Sequence, residues 1–292
     1  MQPSFFAETL WSSSLQQADL PRVRAFLENN GFQGIDLALV SPQGGDATRV
    51  RWSTYYDPTG QCISHAHGVP IPVGSIFLKL TFSYQSSDER DAEHVQRILV
   101  ANALRVMFGA PIARDLVLER HGEIGLQGES CISDISDVGF ASVFDNQNLN
   151  VFDNPPIEEA KLRPVPLEAS TLLDSAFAQR YPYERFILMW LAFEAVFHTH
   201  SGGGSNGNKR RRYFCDELGS QIVGDEVRRI FDIRNDTFKE GRLNQINFDQ
   251  ICFSLYAALQ LAVLEDCPQR KAYLTGYEDY IKTQAKAVQD QS

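Results

Sequence analysis

A chain of 292 residues with 43% hydrophobic and 22% charged residues has the ordinary balance of a globular protein and enough apolar material for a real core. At roughly 100–200 residues per domain, two domains are expected. A net charge of −10 opposes wholesale attraction to nucleic acid or to an anionic membrane, so any nucleic-acid site must be a local patch.

The first seventeen residues, "MQPSFFAETLWSSSLQQ", show neither a basic n-region nor an apolar h-region, so no signal peptide is expected. "IDLALV" (Ile35–Val40) and "TRVRWSTYY" (Thr48–Tyr56) read as strands joined by a hairpin loop, "SPQGGDA". "CISHAH" follows, with Cys62, His65 and His67. On a strand the two histidines share a face, which is half of a metal site, but no matching second ligand pair is visible. No metal and no cofactor are expected. "SIFLKLTFSY" alternates cleanly, with Ile76, Leu78, Leu80, Phe82 and Tyr84 on one face and Lys79, Thr81 and Ser83 on the other. "DAEHVQRILVANALRVMFG" reads as a helix with Val95, Ile98, Leu99, Val106 and Met107 on its apolar stripe and Gly109 past its end. "DLVLER" and "GFASVF" are weaker strand candidates.

Four prolines fall between Asp153 and Ser170, where periodicity disappears. Beyond them the chain reads helical. A short helix covers Leu167–Gln179. A second starts at Pro182, whose missing N–H costs nothing at a first helical position, and runs to Phe197. "NKRRRYFCDELGSQI" and "DEVRRIFDIRNDTF" read as two more. "NFDQICFSLYAALQLAVLED" places Phe248, Ile251, Cys252, Leu255, Leu259, Ala262 and Val263 on one face, and Gln269–Val288 forms a polar last helix. The fold class is therefore α+β. A mixed N-terminal domain (1–152) is followed by a Pro-rich linker (153–166) and an all-α bundle (167–292). The most apolar run, Phe186–Phe197, has about 12 residues against the roughly 20 a membrane span needs. Five cysteines, an odd number with no CxxC, fit a reducing compartment, and a cytoplasmic protein is expected.

Candidate chemistry concentrates in the helical half. Between Ser201 and Gln245 lie nine Lys or Arg against seven Asp or Glu, a local surplus of two on an acidic chain. Lys209, Arg210, Arg211 and Arg212 form its densest run. They read as a solvated face or as a phosphate-binding stripe in which Tyr213 and Phe214 stack bases, or else those aromatics belong to the core. The glycines of "SGGGSNGNKRRR" resemble a P-loop in spacing, yet Asn208 separates Gly207 from Lys209, no Ser/Thr follows and a helix precedes. A flexible linker is the better reading. Glu194 interrupts the apolar helix. It points to the wet side, or it faces a cation from another helix, for which Arg234 is the candidate.

The order "WLAFEAVF", "RRRYF", "IFDIRNDTFKEG" resembles the HEPN superfamily, and more narrowly is similar to the Apea-like HEPN proteins of bacteria, over about a third of the chain from Leu167 to Asp266. The resemblance implies a helical bundle, commonly a homodimer, with the Arg-bearing helix lining a cleft between protomers. Active members are metal-independent RNases whose motif is Arg, four to six residues, then His. Carried over, Arg234 is the motif Arg, Asn235 the polar residue after it, and Lys239 holds the His position. Gly241 falls one residue later than the usual His-Gly. The change bears on the chemistry. Arg holds a phosphate by a two-pronged contact. A histidine near pKa ~6.5 moves protons at neutral pH, whereas a lysine near ~10.4 is neutral in only about one molecule in 2,500 at pH 7. His198 and His200 are the histidines that folding could bring near.

The first reading is thus an HEPN-like protein that dimerises and binds RNA or a nucleotide with weak or no catalysis, in bacterial defence or stress. It has Arg234, Asn235, Lys239 and Glu194 at its centre and a protein partner encoded beside it. The alternatives are an active metal-independent RNase that uses Arg234, and a protein-interaction module that touches no nucleic acid.

Overall fold

The computed structural model describes residues 5–41, 48–56, 62–70, 76–113, 116–124, 131–134, 159–177, 179, 181–241 and 246–289. The chain divides into two compact units, Met1–Gly139 and Phe140–Ser292. The first mixes strands and helices and the second is helical, an α+β protein. "GFASVF" lies outside the described residues.

In the first unit, β1 (Phe5–Ser12), α1 (Leu20–Asn29), β2 (Ile35–Val40), β3 (Thr48–Tyr56), β4 (Cys62–Pro70), β5 (Phe77–Tyr84), α2 (Arg90–Phe108), β6 (Leu116–Glu123) and β7 (Cys131–Asp134) follow in order. Five strands form one antiparallel sheet in the order β2-β5-β1-β6-β7, and among the described residues β3 pairs with β4 alone. The expected hairpin between β2 and β3 is therefore not formed. Beside β5, Ile35 and Leu37 lie opposite Phe82 and Leu80 and become buried, a gain that outweighs the short connection to β3.

The alternation expected of β5 holds: Leu78, Leu80, Phe82 and Tyr84 are buried, while Lys79 and Thr81 face the wetter side. Ile76, just before the strand, is exposed instead. The apolar stripe expected on α2 holds in its C-terminal part, where Val106 and Met107 are buried. Val95, Ile98 and Leu99 are half-buried, and the covered face carries Val100, Leu104 and Met107 with the enclosed pair Glu93–Arg97 at 2.8 Å. A charged pair can occupy that face because each member neutralises the other. Arg105 is buried as well. Its Nε donates to the Ala113 carbonyl at 2.8 Å, and its guanidinium lies 5.0 Å from the Trp11 ring centre.

The helical unit comprises α3 (Leu167–Phe177), α4 (Pro182–Thr199), α5 (Asn206–Arg211), a π-helical turn (Arg212–Glu217), α6 (Gln221–Glu240), α7 (Phe248–Val263) and α8 (Pro268–Gln289). In α7, Ile251–Val263 is buried at every position. On α4, Leu191 stays exposed. Residues 161–163, expected within the linker, pair with the end of α7. Leu162 bridges Leu264, Arg163 N–H donates to the Val263 carbonyl at 2.7 Å, and Glu265 N–H donates to the Lys161 carbonyl at 2.9 Å. Among the described residues no helix is long and apolar enough to cross a membrane.

Candidate functional site

The site grows from the junction of α4, α5 and α6. Ser205 caps α5 by accepting from the Asn208 N–H, after the glycine run has brought the chain back toward α4. One turn into α5, Arg210 points inward. Its guanidinium pairs with the Glu194 carboxylate, and Asn206 Nδ2 donates to the second Glu194 oxygen at 2.8 Å. Trp190 and Phe231 lie under the same guanidinium, each with its ring centre 5.2 Å away. Arg210 is thus fixed by one carboxylate and two aromatic rings. Burial lowers its pKa from the ordinary guanidinium value, Glu194 opposes that, and the nearby charge of Arg234 adds to it. It remains a cation at neutral pH.

Glu194 does have a cationic partner, but that partner is Arg210 rather than Arg234. The sequence pattern favours Arg234 because it belongs to the motif. The structure brings α5 nearer, through a turn that no periodicity argument contains. The basic run is dispersed for the same reason. Arg210 goes inward, Lys209 Nζ donates to the His198 carbonyl at 3.0 Å, Arg211 pairs with Asp216 at 3.4 Å, and Arg212 lies against Gly202. A side chain at Gly202, where φ is 112°, would overlap that guanidinium. Tyr213 and Phe214 are buried, so they build the core and stack no bases. The Tyr213 hydroxyl donates to the Leu261 carbonyl, and burial pushes its pKa up to about 12.

On α6, Ser220 caps the start by accepting from the Val223 N–H, and Gly241 in the left-handed region (φ 64°) ends it. The motif residues lie in its last two turns. Arg234 Nη1 donates to Asn235 Oδ1 at 2.9 Å, and its guanidinium rests 4.8 Å from the centre of the half-exposed Phe238 ring. Arg234 Nε is buried with no hydrogen-bond partner among the described residues. Lys239 is exposed. Because the helix continues unbroken through both, five residues at about 100° each carry Lys239 about 140° round the axis from Arg234. Within one chain, then, Arg234 meets Asn235 and Phe238 and neighbours Arg210, whereas Lys239 faces away.

His198 is exposed. His200 stacks on Phe197 with ring centres 4.4 Å apart, and its Nδ1 is 2.9 Å from the Val196 carbonyl. Burial lowers its pKa, with the charge of Arg163 adding to the effect. Its ring also meets the Tyr213 ring edge-on, with centres 5.3 Å apart. Cys62, His65 and His67 sit on β4 opposite Tyr56, Ser53 and Arg51, but their side chains lie outside the described residues. Among the described residues no group of three or more His, Cys, Asp or Glu could hold a metal ion.

A cavity of about 640 Å³ opens beside this junction. One wall is α5 and the π-helical turn, with Asn208, Arg210, Arg211 and Cys215. The other is α6, with Gly224, Arg228, Phe231 and Asp232. Gly224 is what lets the walls approach, since a Cβ there would overlap Cys215 Sγ. Burial first, then Asp216 and Asp225, raise the Cys215 pKa, so the thiol stays protonated and is no nucleophile. This cavity escaped the sequence reading. Its only trace there is the i, i+4, i+7 spacing of Gly224, Arg228 and Phe231, which a helix-face count restricted to apolar residues passes over.

Comparison with protein-family models, with curated proteins and with solved structures finds no match.

Proposed function

We propose that the helical unit is an HEPN-like bundle that pairs with a second copy and binds RNA or a nucleotide, with weak or no catalysis, in a bacterial defence or stress setting. The observation that supports this most is the convergence of two arginines with different anchors: Arg210, fixed by Glu194 and two aromatic rings, and Arg234, fixed by Asn235 and Phe238. Two preorganised guanidinium groups on one side of a bundle suit a phosphodiester backbone. Weak catalysis follows from the proton inventory. Lys239 faces away from Arg234, and His200 is held between the end of α4 and the Tyr213 ring.

The test is incubation of the full-length protein with single-stranded RNA in the presence of a chelator. Salt-dependent binding without cleavage, lost in Arg234→Ala, is the expected result. Cleavage abolished by Arg234→Ala would instead make the protein an active RNase. Absence of both would leave a module that touches no nucleic acid, and a monomer in light scattering would remove the paired arrangement.

A further inference from the structure

We infer that the cavity between α5 and α6 is a specific binding site for a nucleoside monophosphate unit, its phosphate held at Arg210 and Arg228 and its hydroxyl or amino donors at Asp232. The inference rests on the reading above in taking a phosphate as the natural anion, and it assigns that anion a seat whose lining does not include Arg234.

The cavity has the size of a small-molecule site: 640 Å³ falls within the range of about 300–1,000 Å³ typical of such pockets. Its charges are partly paired already. Arg211 pairs with Asp216, and Gln221 Nε2 donates to Asp225 at 2.7 Å. Arg228 and Asp232, one turn apart on the same wall, carry no ion pair among the described residues. The wall therefore offers a free fork of donors and a free carboxylate acceptor. Arg210 adds a second fork, immobilised before any ligand arrives, so its side-chain entropy is already lost. A ligand that satisfies this layout has an anion at one end and hydrogen-bond donors at the other, with a flat apolar body for the half-buried Phe231 ring. A bare anion would leave the exposed Asp232 carboxylate to water. A neutral nucleoside would leave Arg228 without a counter-charge, Arg210 being already paired with Glu194.

Gly207 supplies the means of closing the site. It lines the cavity, and a Cβ built there meets nothing closer than 3.7 Å, with Arg210 Nη2 at 3.8 Å. A Cβ at Gly207 is therefore accommodated, and the side chain of Gly207→Leu starts from that point, next to Arg210.

The experiment is calorimetric titration of the full chain with the four ribonucleoside 5′-monophosphates and with a 5′-phosphorylated oligoribonucleotide, with inorganic phosphate and the free ribonucleosides as controls. At least one nucleotide ligand is expected to bind roughly tenfold or more tighter than either control. Gly207→Leu and Arg228→Glu are each expected to weaken it roughly tenfold or more without lowering the unfolding temperature. Sensitivity of free monophosphate binding identifies a free nucleotide as the occupant, and sensitivity of the oligonucleotide alone identifies one residue of a strand. If neither ligand shows binding that responds to both substitutions, the inference falls. RNA binding lost in Arg234→Ala but indifferent to Gly207→Leu overturns this site and leaves the RNA reading standing. Monophosphate binding blocked by Gly207→Leu, in a protein that ignores RNA, does the reverse.

Discussion

Glu194 and Arg210, sixteen residues apart, form an ion pair whose arginine side chain is 8% exposed and whose carboxylate is 25% exposed. The pair closes the α4–α5 junction and sets Arg210 against Trp190 and Phe231. Removing only the carboxylate leaves a desolvated guanidinium without its charge partner. Glu194→Leu should cost about 3 kcal/mol in urea unfolding. Replacing both residues, Glu194→Leu with Arg210→Met, should recover most of that loss, because an apolar pair needs no compensation. If the double variant is as unstable as the single one, the pair is not what closes the junction.

Gly224→Ala should be destabilising although alanine is the better helix former by about 1 kcal/mol. The added methyl overlaps Cys215 Sγ, and overpacking of this kind costs roughly 1–3 kcal/mol. Cys215→Ala in the Gly224→Ala background should restore stability. Thermal unfolding of the parent and the two variants reads this directly, and a Gly224→Ala protein at least as stable as the parent would refute it.

His200 makes the helical unit sensitive to mild acid. Its folded pKa is depressed, chiefly by burial, so the neutral ring is the form that fits. Stability is full above the unfolded value of about 6.5 and falls as pH drops from there toward the folded value. Urea midpoints at pH 7.5 and 5.5 should therefore differ more in the parent than in His200→Gln. Equal differences would exclude His200 as the titrating group.

Lys239→His should produce no gain in RNA cleavage, since the helix turns position 239 away from Arg234. A gain of roughly tenfold or more in gel-based cleavage, with chelator present, would mean that a second copy brings the two positions together across its own surface.

Much of the fold was legible because it follows from periodicity. The β5 alternation and the all-buried face of α7 need only the pleat and the helical repeat, and Leu78, Leu80 and Leu255 fell where those repeats put them. β1 was missed. Its inward residues are Ala7, Thr9 and Trp11, so the buried face of this central strand carries one large hydrophobe and a threonine. The Trp11 indole donates to the Thr9 hydroxyl at 3.0 Å, a hydrogen bond that makes the threonine acceptable inside. α1 was missed as well, with Val23, Phe26 and Leu27 its only buried residues. At the site, the interruption of an apolar helix by Glu194 pointed to its need for a cation. It could not supply the partner, because a π-helical turn and a glycine run decide which of four consecutive basic residues faces inward. Side-chain direction after such turns is a tertiary outcome.

The strap formed by residues 161–163 changes where the helical unit can be cut. Its backbone is zipped to the end of α7, and Arg163 also lies 5.2 Å from the centre of the Tyr213 ring, on the wall behind the basic run. A fragment that begins at Leu167, where the first helix starts, would leave the Val263 carbonyl and the Glu265 N–H without these partners and would uncover Tyr213. Any fragment intended to fold as the helical unit by itself has to begin upstream of Ala160, because the strap is part of the body it holds shut.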